Sequence, residues 1–209
     1  MKRTADEAAQ TRETLLETGL AVFSERGFSG ATLEEIAKRA GVTRGALYHH
    51  FADKAELYGA AVKEQWQEVF KPLFAHLHRD GEPLARIESF LAYYFATLED
   101  DPKVRRLLEV TMLRTELVPE LRRALKSKSQ AFEAWTGAVA DVLEEAKKAK
   151  TLREGVSPQI GAAAVVAFAN GVASTWVLSP VVLSPKRDSA ALASLLVAGL
   201  RRPQARARE

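Results

Sequence analysis

Cysteine is absent from the 209 residues. That excludes a disulfide framework, a zinc–thiolate site and a cysteine nucleophile. Charge is missing from Ile160–Leu183, a run long enough to raise the question of a membrane span. Its Ala and Gly content and the interruptions at Asn170, Gly171, Ser174, Thr175 and Pro180 fit a buried interface helix better. The polar start, Met1–Arg12, lacks the apolar run of a signal peptide, so a soluble cytoplasmic protein is expected. No P-loop, G-x-G-x-x-G loop or G-x-S-x-G elbow occurs, and an enzyme would have to assemble its groups without any of them. His76 and His78 stand at i, i+2 and point to different sides of a helix. With only Asp80 and Glu82 beside them, no metal site is expected. The run Glu99–Asp101 reads as a solvated helix end before Pro102. The expectation is no enzyme, no metal and no cofactor.

What is present is ordinary globular material, 47% apolar and 27% charged. The net charge of +3 invites a nucleic-acid reading. Yet Arg201, Arg202, Arg206 and Arg208 against Glu209 already account for all of it, so residues 1–200 sum to zero. A nucleic-acid footprint must therefore be local.

Helical periodicity dominates. Ala8, Leu15, Leu16, Leu20 and Phe23 share one face, and Gly27 stops that helix. Thr32 caps a helix bearing Leu33, Ile36, Ala37 and Ala40, stopped at Gly41. Thr43 caps a short helix to about His50. Asp53 caps a longer one, 54–79, with Pro72 as a kink. Further helices are predicted over 83–99, 103–117, 119–150, 159–178 and 189–201, with Pro180 and Pro185 bounding a loop. The fold class is all-α, about nine helices. An N-terminal three-helix unit (1–54) is joined through helix 54–79 to a larger helical bundle (55–201), with a basic, disordered tail (202–209).

The stretch Thr32–Lys54, TLEEIAKRAGVTRGALYHHFADK, has the layout of a helix-turn-helix. Gly41 permits the left-handed backbone of the tight turn. Val42, Leu47 and Phe51 turn inward with Ile36 and Ala37, leaving Arg44, Gly45, Tyr48 and His49 on the outer face. Arg44 can fork onto guanine. Tyr48 can reach a phosphate or a thymine methyl, and Gly45 lets the helix approach a duplex closely. Residues 38–54 hold Lys38, Arg39, Arg44 and Lys54 against Asp53, a local charge of +3.

Thr11–Tyr58 resembles the DNA-binding domain of the TetR family of transcriptional regulators. The resemblance rests on AVFSERGFSGATLEEIAKRAGVTRGALYHHFADKAELY, with F-x-x-x-G-[FY], T-[LV]-x-x-I-A, A-G-V and L-Y-x-H-F-x-x-K. RRLLEVTMLRTEL, AFANGVASTWVLSP and ALASLLVAGLRR are similar to the AcrR-like branch, repressors of multidrug efflux genes. The resemblance implies a recognition helix over Thr43–His50. It implies base or groove contacts from Arg44, Gly45, Tyr48 and His49, and phosphate contacts from Thr32, Thr43, His50 and Lys54. An N-terminal arm with Lys2 and Arg3 would enter the minor groove or be disordered.

The resemblance further implies a homodimer built from the last two helices. Spacing of 3 and 4 places Ala162, Val165, Ala169, Val172 and Trp176 on one face, and Leu192, Leu195, Leu196 and Gly199 on another. An intramolecular core face is the alternative reading. Aromatic residues are the other surplus. An aromatic stripe is ordinarily core, but the family holds an apolar pocket in this domain, which Trp66, Phe70, Phe90, Tyr94, Met112, Val166 and Asn170 would line. Arg114 and Glu116 are polar candidates there. The implied activity is a repressor that binds a palindromic duplex operator and is released by a small hydrophobic or aromatic effector acting through helix 54–79. An activator or dual regulator, or a ligand-binding protein that has lost operator recognition, is the alternative.

Overall fold

The computed structural model describes residues 5–114 and 118–203. Lys2, Arg3, Glu116 and the tail beyond residue 203 lie outside the described residues. Nine α-helices are found among the described residues: α1 (Ala5–Gly30), α2 (Leu33–Arg39), α3 (Arg44–His50), α4 (Lys54–Leu77), α5 (Pro83–Asp100), α6 (Pro102–Leu108), α7 (Arg122–Lys148), α8 (Pro158–Leu178) and α9 (Pro185–Leu200). Extended pairing there amounts to an isolated bridge between Leu152 and Arg201.

Helix ends follow local chemistry. Gly27, at φ 71°, breaks the helical path of α1 as expected. The Glu35 and Ala46 N–H groups donate to Thr32 Oγ1 and Thr43 Oγ1, at 3.2 and 3.1 Å. Between these two caps Gly41, at φ 69°, makes the turn. Ser157 and Ser184 cap α8 and α9, each followed by proline in the first turn, where its missing N–H costs nothing. Ser184–Pro185 is thus a helix start. α9 begins four residues before the predicted Ser189, directly at the proline that bounds the loop. α4 stays one helix through Pro72. The predicted helix 103–117 is shorter. After Leu108 it widens into a π segment, Glu109–Leu113, and Lys128 Nζ donates to the Thr111 carbonyl there at 2.6 Å.

The described chain forms two compact units. The first holds the residues up to Glu68 together with Lys103–Ser129. The second holds Val69–Pro102 and the residues from Gln130 onward. The chain passes between them within α4, at the start of α6 and within α7. This division by packing does not fall at the boundary expected at residue 54.

In the first unit α1, α2 and α3 close on Leu15, Leu20, Phe23, Ile36, Leu47 and Phe51, all buried. Each such side chain contributes about 1.5–3 kcal/mol by leaving water. Phe23, Phe28 and Tyr58 pack with centroids 5.1–6.2 Å apart. Arg12 makes a bidentate pair with Glu64, at 2.7 and 2.6 Å, tying α1 to α4. In the second unit α5 packs along α9 and α8, and its Ile87, Phe90, Leu91, Tyr94, Phe95 and Leu98 are buried. A Cβ built on Gly161 would lie 2.9 Å from Leu143 Cδ1, so α8 can approach α7 this closely only at a glycine.

Candidate nucleic-acid interface

α3 exposes Arg44, Gly45, Tyr48 and His49 and buries Leu47 completely. One residue in seven anchors the helix, and most of the others face outward. Ile36, Ala37 and Phe51 are buried with Leu47, and Val42 is half-buried. Arg44 and Tyr48, one helical turn apart, form a unit. The guanidinium lies 5.5 Å from the ring centroid, and its Nη2 donates to the Tyr48 hydroxyl at 3.4 Å. Tyr48 is 44% exposed. Thr32 and Thr43 are exposed. Capping uses an acceptor lone pair of each hydroxyl and leaves its hydrogen free to donate to a phosphate oxygen. A Cβ on Gly45 would meet nothing nearer than Thr43 Oγ1 at 4.0 Å, so the free protein does not require glycine there.

The local charge of +3 overstates the positive field. Arg44 Nη1 pairs with Glu34 at 2.8 Å. Arg39 pairs with Glu25 at 2.8 Å and Glu35 at 2.6 Å. A reading of residues 38–54 alone misses these carboxylates, because they lie on α1 and α2. The Arg44–Glu34 pair is well exposed on both sides and is therefore weak. A bidentate guanine contact is worth about 1–3 kcal/mol. Glu34 would therefore be a weak competitor with a guanine for Arg44.

Lys54 is placed differently from the phosphate clamp expected of it. Its Nζ donates to the carbonyls of Phe28, Ala31 and Ser29, at 2.7, 2.9 and 3.4 Å. The same ammonium lies 4.5 Å from the Phe28 ring centroid. All three of its donors serve the segment that leads from α1 into the Thr32 cap. Its charge remains near the surface, but its hydrogen bonds hold the helix-turn-helix together. His50 is half-buried and packs edge-on to His49, with centroids 5.3 Å apart.

The periodic face chosen for association on α8 is the face turned into the chain. Val165, Ala169, Val172 and Trp176 are all buried, as the alternative reading of that periodicity allowed. The opposite face carries Ile160, Ala163, Ala164, Ala167, Gly171 and Leu178, all exposed. Apolar residues occupy both faces of this helix, so periodicity cannot choose between them. On α9 Leu195 is 71% exposed and Gly199 is exposed, while Leu192 and Leu196 are half-buried. Ala191, Leu195 and Ala198 continue an uncharged exposed strip. α8 is also long and apolar enough to cross a membrane, with mean hydropathy 1.6, and half of that window is buried inside the chain.

The residues assigned to an effector pocket do not all belong to one unit. Trp66 and Met112 lie in the first; Phe70, Phe90, Tyr94, Val166 and Asn170 lie in the second. Phe90 and Tyr94 are fully buried and Val166 is nearly so. Phe70, Phe90 and Tyr94 gather around Trp135, with centroids 5.2, 6.0 and 5.6 Å from its ring. Burial pushes the Tyr94 phenol well above its ordinary range, so it stays neutral. Trp135 was not predicted as part of this cluster, whose members come from α4, α5 and α7 and share no sequence periodicity. Asn170 is half-buried, and its Nδ2 donates to the Val166 carbonyl at 2.8 Å. Its own helix thus meets part of its need for a partner. Arg114 is exposed.

Two capped seven-residue helices across a glycine turn, with a polar outer face, define a helix-turn-helix DNA-binding protein. Residues 15–61 match the profile described as bacterial regulatory proteins, tetR family. Residues 15–61 are thus a domain of that family, whose members are DNA-binding regulators rather than enzymes. The chain is 26% identical over 202 residues to the HTH-type transcriptional regulator AcrR of Shigella flexneri, covering 94% of this chain and 92% of that protein. Its fold matches that of NalD, the secondary repressor of the MexAB-OprM multidrug efflux pump in Pseudomonas aeruginosa. There the TM-score is 0.83 at 29% identity, covering 95% of this chain and 100% of the other. A complex of triclosan with SmeT, the repressor of a Stenotrophomonas maltophilia efflux pump, matches at TM-score 0.79 and 28% identity over 92% of each chain.

Proposed function

We propose that this protein is a cytoplasmic, ligand-responsive repressor that binds a palindromic operator as a homodimer. The observation that carries the reading is α3, held by one fully buried leucine and presenting Arg44, Gly45, Tyr48 and His49 outward. Arg44 reads a base edge, with Tyr48 stacked beneath it to hold the guanidinium. Gly45 lets the helix lie close to the groove floor. Thr32, Thr43 and His50 hydrogen-bond to phosphates. Lys54 acts on the duplex by holding the Thr32 cap in place.

Association uses the exposed strips of α8 and α9, Ile160, Ala163, Ala167 and Gly171 with Ala191 and Leu195. It presents two recognition helices about 34–36 Å apart, one turn of B-DNA. The effector is a small apolar or aromatic molecule, bound where Phe70, Phe90 and Tyr94 gather. The family's efflux repressors, and SmeT with its bound triclosan, support that reading. α4 begins beside the recognition helix and ends among these rings, so its displacement would couple the two events. Coupling of about 1–3 kcal/mol gives 5–150-fold release.

Selection of random duplexes by the purified protein near physiological salt, with sequencing of the bound pool, tests the reading. Enrichment of a palindrome is the expected result. No enrichment by a folded dimer freed of bound small molecules would overturn operator binding and leave a ligand-binding protein.

A further inference from the structure

Trp135 sits in the middle of α7 and is 3% exposed. Its indole N–H finds no hydrogen-bond partner among the described residues. Leaving a buried donor unmet is costly, and native chains almost always avoid it. The surroundings explain why the described residues offer nothing. Phe70, Phe90, Tyr94 and Phe132 surround the indole, with centroids 5.2, 6.0, 5.6 and 6.4 Å away. Phe74 extends the group, 5.6 Å from Phe70 and 6.4 Å from Phe90. These rings come from α4, α5 and α7 within the second compact unit. Phenylalanine at the same position would supply an aromatic ring without this unmet donor, so the N–H is the part of Trp135 that packing does not require.

We infer that the Trp135 indole N–H is the polar anchor of the effector site, selecting neutral aromatic ligands that carry an oxygen acceptor. This rests on the effector reading above and names the chemistry of that site. An indole donates and cannot accept, so a ligand group that only donates gains nothing from it. The four rings nearest the indole carry no formal charge at neutral pH. A carboxylate or ammonium among them would lose its hydration without a compensating ion. An ether, carbonyl or phenolic oxygen loses much less and meets the waiting donor. The rings take the flat body of such a ligand by stacking and edge contacts. Occupancy would bear directly on α4, which supplies Phe70 and Phe74.

The test compares 2-methoxynaphthalene with 2-ethylnaphthalene, which share a ring system and similar bulk but differ in the acceptor oxygen. Wild-type dimer and Trp135→Phe are titrated with each by calorimetry, after both are shown to fold and to bind a selected operator duplex. The expected result is about tenfold tighter binding of the ether by wild type, with that preference lost in Trp135→Phe and the hydrocarbon affinity unchanged. The ¹⁵N-labelled wild type gives a second readout that does not depend on the affinity of any variant. Of the three tryptophan indole resonances, the one absent from Trp135→Phe, or perturbed in Phe132→Leu, should shift downfield with the ether and not with the hydrocarbon. Equal affinities for the two probes in wild type, or an ether preference that survives Trp135→Phe, overturn the anchor and leave the effector reading standing. Failure of wild type to bind either probe, while it still binds the operator, overturns both the anchor and the apolar-effector reading. Failure to bind DNA strikes the regulator reading alone.

Discussion

Arg44 enters the interface already paired, and Lys54 enters it already spent on backbone. The two cations therefore give different signatures when changed. Lys54→Met removes a donor from three carbonyls while keeping most of the apolar stem over Phe28. Its expected cost is about 1–2 kcal/mol of stability, read as a lower Tm. The salt dependence of DNA binding should stay close to wild type. A slope reduced by about one unit with an unchanged Tm would make Lys54 a phosphate contact instead. Gly45→Ala separates fold from function in the opposite direction. The added methyl meets open space, and alanine is the better helix former by about 0.5–1 kcal/mol. Tm should rise slightly while operator affinity falls, because the methyl meets the groove. Unchanged affinity would show that α3 does not approach the duplex closely at this residue.

At the scale of the element, the C-terminal end of α4 carries a titrating contact. His76 is buried and stacks on Tyr93, with centroids 4.5 Å apart, and its Nδ1 lies 2.8 Å from Ser89 Oγ. Burial, and secondarily the positive charge of Arg79, lower its pKa from the ordinary 6.5. The folded state thus binds this proton less readily than the unfolded chain does. The contribution to stability is complete above the unfolded value and is lost as pH falls below it toward the folded value. Melts at pH 7.5 and 5.5 should show wild type losing more stability than His76→Asn. Equal losses would show that His76 is not the titrating group. α8 illustrates a different property of elements. It is apolar on both faces, one buried within the chain and one exposed, and it bears no charge to mark the difference. Helix α3 is the contrary case, with a single buried residue and a polar remainder, so its faces could be read without a structure.

At the scale of the whole molecule, association decides whether two recognition helices can meet one operator. Leu195 is exposed on α9 and takes no part in the monomer core. Leu195→Asp should leave the far-UV helical signal and the Tm of a dilute monomer intact while shifting sedimentation from dimer to monomer. Operator affinity should then fall by an order of magnitude or more, since each half-site is bound without its partner. A Leu195→Asp protein that remains dimeric would move the interface away from this strip.

Much of this protein is determined by its sequence alone, and the reason is locality. Thr32, Gly41 and Thr43 act on backbone within four residues of themselves. The helix-turn-helix, its outward residues and the all-α class could therefore be read along the chain. Locality also sets the errors. Ser184–Pro185 works as a cap and first turn, yet its proline looks like a loop residue when read alone. Whatever depends on partners distant in sequence was decided by tertiary structure. Glu25 and Glu34 neutralise arginines from other helices. Phe28 and Ala31 claim the Lys54 ammonium from across the unit. Four rings from three helices enclose Trp135, whose N–H is unmet among the described residues. Burial chooses one face of α8 over another equally apolar face. None of these follows from spacing, because hydrogen bonds, ring contacts and burial are settled by where the helices come to lie.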